Sequence, residues 1–149
     1  MTDKSIRNAR GTVEHVAALR DASDHAWTCA GPEDCDLTED EAQTLAFGIG
    51  GDDPDLLHDI EYVEQVVYGA PLSVSIRSDW TEAGDTMKPA EYMIEMTTGG
   101  PAARIIGDIE RPNVRIEYAD QGEPWETLRD ITQRERDALE WFGAQFVGM

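Results

Sequence analysis

Three side chains that can bind metals or act as nucleophiles lie close together in the first quarter of the chain: His25, Cys29 and Cys35. One imidazole and two thiolates would supply three of the four ligands that zinc takes in proteins. Their spacing matches no common zinc motif, and the nearby aspartates suit zinc less well than another thiolate would. Free thiols are therefore the simpler interpretation, and we expect neither a metal nor a cofactor.

Catalytic arrangements are incomplete in this sequence. Its histidines are His15, His25 and His58, and it contains no Gly-x-Ser-x-Gly segment of the kind that presents a nucleophilic serine. A small enzyme that uses His25, Cys29 or His58 with nearby acids stays an alternative, because an enzyme site can exist without a recognisable motif.

The distribution of charge is the most informative feature. The chain has a formal charge of −19, and no Lys or Arg occurs between Arg20 and Arg77. Residues 77–149 have a more ordinary mixture of acidic and basic side chains. Nucleic acids and anionic membranes are bound through Lys and Arg, so an acidic protein is repelled by both. We expect no direct binding to nucleic acid and no membrane association.

A helix face that carries carboxylates can imitate a nucleic acid, because side chains on such a face are separated by roughly 5–10 Å, comparable with the spacing of phosphates along a strand. The expected partner is then a basic, nucleic-acid-binding protein complex. The alternative is salt adaptation, which favours a surface that is acidic all round. The candidate partner-binding carboxylates are Glu33, Asp34, Asp36, Glu39, Asp40, Glu41, Asp52, Asp53, Asp55, Asp59, Glu61 and Glu64.

Two tryptophans in the second half, Trp80 and Trp125, lie near Gly and Pro residues. Exposed tryptophans often anchor a binding partner, so both are further candidates for the partner-binding site. The structural alternative is that they cover one end of a sheet.

Hydrophobic periodicity predicts helices in the acidic half. The pattern indicates a short helix from Thr12 to about residue 21, a loop over residues 23–37, a second helix over residues 38–48 and a third over residues 54–69. The capping-box residues Thr38 and Glu41 mark the start of the second helix.

After residue 71 the apolar period changes from 3.6 to 2, which is typical of strands. Four strands are predicted, near residues 72–77, 91–96, 103–109 and 114–118, and a second capping box, Thr132 with Glu135, marks the start of a closing helix. The expected fold is α+β: N-terminal helices, a four-stranded antiparallel meander sheet and a C-terminal helix packed on the sheet. We expect one domain over residues 1–149, with an acidic helical half (12–69) and a sheet with its closing helix (71–147). The N-terminus lacks the apolar stretch of a secretory signal, which predicts a cytoplasmic protein.

Four segments of the second half carry a family resemblance: LSVSIRSDW at residues 72–80, AEY at 90–92, TGGPA at 98–102 and DQGEPW at 120–125. Over residues 71–146 the chain resembles a family of small, functionally uncharacterised proteins of bacteriophages and prophages. The resemblance implies a phage or mobile-element origin and supplies no catalytic residues.

Charge and resemblance together predict a non-enzymatic inhibitor of a host nucleic-acid-binding defence complex, such as a CRISPR effector or a restriction enzyme. A phage accessory or assembly protein is a further alternative.

Overall fold

A computed structural model describes residues 3–28, 37–98 and 101–147 of the chain. The described residues form an α+β fold in which helices pack on one face of an antiparallel sheet. The helices are α1 (Asp3–Thr28), α2 (Glu39–Gly48), a 3-10 helix (Pro54–His58), α3 (Ile60–Gly69) and α4 (Gln133–Val147); the strands are β1 (Ser73–Ser78), β2 (Pro89–Thr97), β3 (Ala102–Asp108), β4 (Val114–Ala119) and β5 (Glu126–Thr127).

The first helix is much longer than predicted and forms the centre of the helical layer. It contacts α2, α3 and α4 as well as β3 and β4. Its buried residues recur at helical spacing, and many of them are small: Ser5, Ala9, Thr12, Val13, Val16, Leu19, Ala22 and Ala26. Small side chains let neighbouring elements approach closely but carry a weak hydrophobic signal. The predictions of a start at Thr12 and of a loop over residues 23–28 were therefore wrong, and residues 29–36 of the predicted loop lie outside the described residues.

The predicted third helix is two helices. Pro54 starts the 3-10 helix, where its missing N–H costs nothing, and this helix ends at His58. Asp59 then caps α3, because its side chain accepts a bond from the backbone N–H of Tyr62 at 3.3 Å. A short polar side chain that bonds to the local backbone competes with a continuous helix. The second helix, with its capping box at Thr38, was predicted correctly.

The sheet is a simple meander in the order β1-β2-β3-β4-β5. Its central strands bury alternate residues against the helices, among them Ile94, Ile105 and Ile116, which are opposite one another in register. The prediction of four strands missed β5, which pairs two residues with the end of β4. A strand of two residues has no period to detect.

Strand β1 lies at the edge of the sheet and is more exposed than its alternating pattern predicted. Val74 and Ile76 pair with Ile94 and Tyr92, so they point to the same face as the buried residues. They nevertheless remain 38% and 57% exposed. The helical layer covers the central strands and leaves this edge open.

The closing helix α4 begins at the predicted capping box. The backbone N–H of Glu135 donates to Thr132 Oγ1 at 3.1 Å, and Glu135 Oε1 accepts from the Thr132 N–H at 2.9 Å. Leu139 and Phe142 on its inner side are completely buried, and they belong to the same core cluster as residues of α1 and the sheet. In the described part of the chain, no helix is both long enough and apolar enough to cross a bilayer.

Candidate partner-binding surface

Nine of the predicted partner-binding carboxylates lie in the described residues, and all nine are exposed. They occupy α2, the turn before the 3-10 helix, the 3-10 helix and α3. We call them the acidic helical surface: Glu39, Asp40, Glu41, Asp52, Asp53, Asp55, Asp59, Glu61 and Glu64. Glu33, Asp34 and Asp36 lie outside the described residues.

Helix capping explains three members of this surface. Glu41 completes the capping box of α2: its backbone N–H donates to Thr38 Oγ1 at 3.1 Å, and its Oε1 accepts from the Thr38 N–H at 3.4 Å. Asp53 caps the 3-10 helix and Asp59 caps α3, each by accepting one backbone N–H bond. Such bonds satisfy amides that a helix start leaves without partners. These three carboxylates therefore have a local structural role.

The remaining carboxylates of the surface do not cap a helix, although Glu39, Asp40, Asp55 and Glu61 lie in first helical turns, where the helix dipole favours a negative charge. Glu61 and Glu64 are three residues apart on α3, a spacing that puts them on one side of the helix. With Gln65 and Tyr68 they line a shallow depression on the surface. The side chain of Tyr68 is exposed and meets the Phe146 ring edge-to-face, with the ring centroids 5.8 Å apart. This part of α3 therefore presents acidic groups beside an aromatic ring.

Folding brings Arg134 into the same cavity as Asp40 and Glu41, but Arg134 forms its ion pair with Asp21 and not with a member of the acidic helical surface. Within the described residues, none of the nine carboxylates forms an ion pair. Arginines instead pair with carboxylates elsewhere: Arg77 Nη2 lies 2.6 Å from Glu91 Oε1, and Arg10 pairs with Glu135. The acidic helical surface thus has no ion pairs in the described structure, whereas Asp21 and Asp24, at the start of the base-free segment, pair with Arg134 and Arg20.

The outer face of the sheet has the opposite character, because its charges are paired. Glu117 accepts hydrogen bonds from Arg104 at 2.8 Å and from Arg115 at 3.0 Å. Burial alone raises the pKa of Glu117, but these two hydrogen bonds and the two positive charges outweigh burial and lower it. The Arg104 guanidinium stacks on the Trp125 ring, with Arg104 Cζ 3.8 Å from the ring centroid. The Trp125 side chain remains 40% exposed.

The two tryptophans predicted to bind a partner, Trp80 and Trp125, are not on the elements that carry the acidic helical surface. Trp125 lies beside β5 and contacts the arginine described above. Trp80 lies in the connection between β1 and β2, and its side chain is fully exposed. Both belong to the sheet half, so any role in binding would be separate from that of the carboxylates.

Sequence reasoning missed three exposed aromatic residues in the helical half, of which Tyr68 on α3 is described above. Phe47 lies on α2 and is 81% exposed, and Trp27 lies near the end of α1 and is 67% exposed. A signal for Phe47 was present, because on a helix over residues 38–48 the side that buries Ala42, Leu45 and Ala46 does not include residue 47. An aromatic ring on the same helix as three carboxylates is a suitable anchor for a protein partner.

The histidines converge in part. His25 near the end of α1 and His58 in the 3-10 helix have ring centroids 5.1 Å apart. Burial, and secondarily the neighbouring His58, lowers the pKa of His25. His15 is engaged elsewhere, with its Nδ1 atom 3.0 Å from the carbonyl oxygen of Gly48. Cys29 and Cys35 lie outside the described residues, which contain no cluster of three or more metal-binding side chains.

No protein-family model, curated protein or solved structure matches this chain.

Proposed function

We propose that this protein is a non-enzymatic binding protein whose acidic helical surface occupies the basic groove of a nucleic-acid-binding protein. The observation that carries the proposal is the absence of any ion pair to the nine exposed carboxylates in the described structure. Unpaired carboxylates on adjoining helices create a negative potential that steers a positively charged partner toward them.

The chemistry of the partner follows from this potential. A groove lined with Lys and Arg normally holds phosphates, and it would receive carboxylates with the same sign of charge and a similar spacing. Hydrophobic contact must add specificity, because charge alone attracts any basic surface. Phe47 on α2 and Tyr68 on α3 are the exposed rings that lie on the same helices as the carboxylates.

The biological setting of the proposal is a phage or prophage protein that blocks a host defence complex, such as a CRISPR effector or a restriction enzyme. The resemblance of residues 71–146 to phage and prophage proteins motivates this choice. The acidic first half, which the resemblance does not cover, would then select the partner, while the sheet and closing helix would form the scaffold.

Salt adaptation makes a different prediction about which carboxylates matter. It would benefit from exposed carboxylates anywhere, whereas mimicry needs those of the acidic helical surface. The two explanations therefore separate when the same number of charges is removed from two regions.

The test is a pull-down from bacterial lysate with two variants that each remove four negative charges. The first variant neutralises residues of the acidic helical surface that are not caps: Asp52→Asn, Asp55→Asn, Glu61→Gln and Glu64→Gln. The matched control neutralises exposed acids of the sheet half: Glu82→Gln, Asp85→Asn, Glu110→Gln and Glu123→Gln.

We expect wild type and the control to capture nucleic-acid-binding proteins that excess duplex DNA or high salt displaces. The first variant should capture about tenfold less of the same proteins. Equal losses in both variants would support general charge or salt adaptation. Capture that resists DNA competition would refute mimicry.

A further inference from the structure

Strand β1 is an edge strand, and no strand of the described structure pairs with its outer side. It pairs with β2 on one side, and the sheet ends there. Among the described elements, β2 alone makes extensive contact with it. Proteins usually block such an edge with Lys, Pro, a bulge or a covering segment, because its free backbone groups can pair with another strand. Residues 72–78 contain neither Lys nor Pro, and the register shifts only between Arg77 and Ser78. The edge is therefore open to strand addition.

The side chains of β1 differ between the two faces of the sheet. Val74 and Ile76 lie on the side that carries the helices, but the helical layer does not cover them. Ser73, Ser75 and Arg77 lie on the opposite side. Exposed apolar side chains beside free backbone groups form a surface that a further strand would cover.

Repulsion between two copies of this acidic chain is weak at the same edge. The chain has a charge of −19, yet residues 72–78 contain one arginine and no carboxylate. Glu95 of β2 lies opposite Ser73, accepts a hydrogen bond from its hydroxyl at 3.1 Å and forms no ion pair among the described residues. At the other end of β1, the side chain of Arg77 is 73% exposed, although it pairs with Glu91. The edge thus has one acidic and one basic end.

We propose that two copies of this chain associate by antiparallel pairing of their β1 strands about a two-fold axis perpendicular to the sheet. Such an axis keeps corresponding faces of the two sheets on the same side, so Ser75 of each copy can lie opposite its counterpart. Val74 then lies opposite Ile76 of the second copy, and the apolar side chains of the two copies cover each other. On the other face, Ser73 lies opposite Arg77 of the second copy.

The charges at the ends of the strand complement each other in this arrangement. The guanidinium of Arg77 in one copy comes beside Ser73 and Glu95 of the other, and the two-fold axis makes this contact twice. A second copy fits the edge because it supplies the apolar side chains and the opposite charge together. The two five-stranded sheets become one continuous sheet, with both helical layers on the same side. This association is independent of the proposed function, because the strand pairing does not use the acidic helical surface.

Sedimentation equilibrium of the full-length protein measures this association as a function of protein concentration, at low and at high NaCl. The variant Ile76→Lys places an ammonium group from each copy among the apolar side chains of the dimer. Thr127→Lys is the matched control, because Thr127 is exposed on β5 at the other edge of the sheet and the change in charge is the same. Circular dichroism verifies that both variants are folded.

We expect wild type and Thr127→Lys to form dimers, and the dimer of Ile76→Lys to be at least about tenfold weaker. Salt should strengthen the dimer, since it screens the repulsion between two acidic chains, whereas it should weaken capture of a basic partner. The proposal is overturned if wild type is monomeric at every concentration, which would leave the edge to an extended segment of another protein. It is also overturned if folded Ile76→Lys dimerises as wild type does.

A disulfide cross-link tests the register of the strands without Ile76→Lys. In a background with Cys29→Ser and Cys35→Ser, the substitution Ser75→Cys puts one thiol of each copy at the two-fold axis. Residues directly opposite on antiparallel strands have Cα atoms about 4.5–5.5 Å apart, within the range that a disulfide spans. Mild oxidation should convert Ser75→Cys into a covalent dimer and leave the control Thr127→Cys monomeric. No cross-link in Ser75→Cys, or equal cross-linking of both variants, would refute the pairing.

Discussion

Tyr92 occupies a slot that two glycines create between the sheet and α4. Its side chain is buried, with Gly107 of β3 on one side and Gly143 of α4 on the other. A Cβ atom added at Gly143 would lie 2.7 Å from Tyr92 Cε2, and one added at Gly107 would lie 2.7 Å from Cε1. Carbon atoms pack best at about 3.5–4.0 Å, so either added methyl group would overlap the ring. Because the ring is confined on both sides, it cannot move away from one glycine without meeting the other.

The substitution Gly143→Ala therefore sets two effects against each other. Replacing Gly by Ala inside a helix is favourable by roughly 0.5–1 kcal/mol, because Ala loses less backbone entropy. Overpacking a rigid core costs about 1–3 kcal/mol, and the confined ring places this site near the upper end. We expect a net loss of about 2 kcal/mol in the free energy of unfolding. Gly11 in α1 provides the control, since it is exposed and a Cβ there meets nothing within 4 Å.

Urea and thermal unfolding, followed by circular dichroism, measure both substitutions. Gly11→Ala should stabilise the protein, so the two variants should differ by about 3 kcal/mol, or roughly 6–12 °C in melting temperature for a chain of this size. The cost of Gly143→Ala should largely disappear when it is combined with Tyr92→Leu, which shortens the ring side chain. If Gly143→Ala stabilises the protein as Gly11→Ala does, the packing of Tyr92 against α4 is wrong.

Three further predictions concern pH, charge and capping. Burial, together with Glu140 and Asp108, raises the pKa of Tyr92 to about 12, above its value in the unfolded chain. The free energy of unfolding should therefore be unaffected by this group below pH 10 and fall by roughly 2–3 kcal/mol as pH approaches 12. Urea unfolding of Tyr92→Phe should not show this loss. Glu117→Gln should lower the free energy of unfolding by roughly 1–2 kcal/mol at pH 7. The difference between this variant and wild type should disappear in acid, because a carboxylate with a lowered pKa stabilises the folded state only while it is ionised. Asp59→Ala should cost about 0.5–2 kcal/mol in the same assay through the lost cap.

Sequence patterns correctly predicted those parts of the fold that depend on interactions between residues close together in the chain. Both capping boxes, at Thr38 and Thr132, formed as predicted, because each motif satisfies its own backbone amides. The central strands also follow their alternating pattern. In contrast, the length of α1 depends on small residues such as Ala9 and Ala22, which become core positions only after other elements pack around them.

The candidate site was predictable in composition but not in geometry. A base-free segment is visible in the sequence, yet whether distant arginines such as Arg104 and Arg134 would approach it depends on the fold. Arg104 pairs instead with Glu117 on the outer face of the sheet, and Arg134 pairs with Asp21 on α1. The proximity of His25 and His58 was equally hidden, since 33 residues separate them and no motif links them.

Capping and recognition must be separated before the acidic helical surface can be interpreted. A carboxylate at a helix N-terminus is stabilised by the helix dipole and by the amides that it accepts, so Glu41, Asp53 and Asp59 would be favourable in a protein with no partner. Removing them would weaken binding through loss of structure as well as loss of charge. A carboxylate that is neither a cap nor in a first helical turn, such as Glu64, adds self-repulsion to a protein of charge −19 and forms no ion pair in the described structure. Under the proposed function a basic partner would offset this repulsion, and neutralising such residues tests recognition without removing a helix cap.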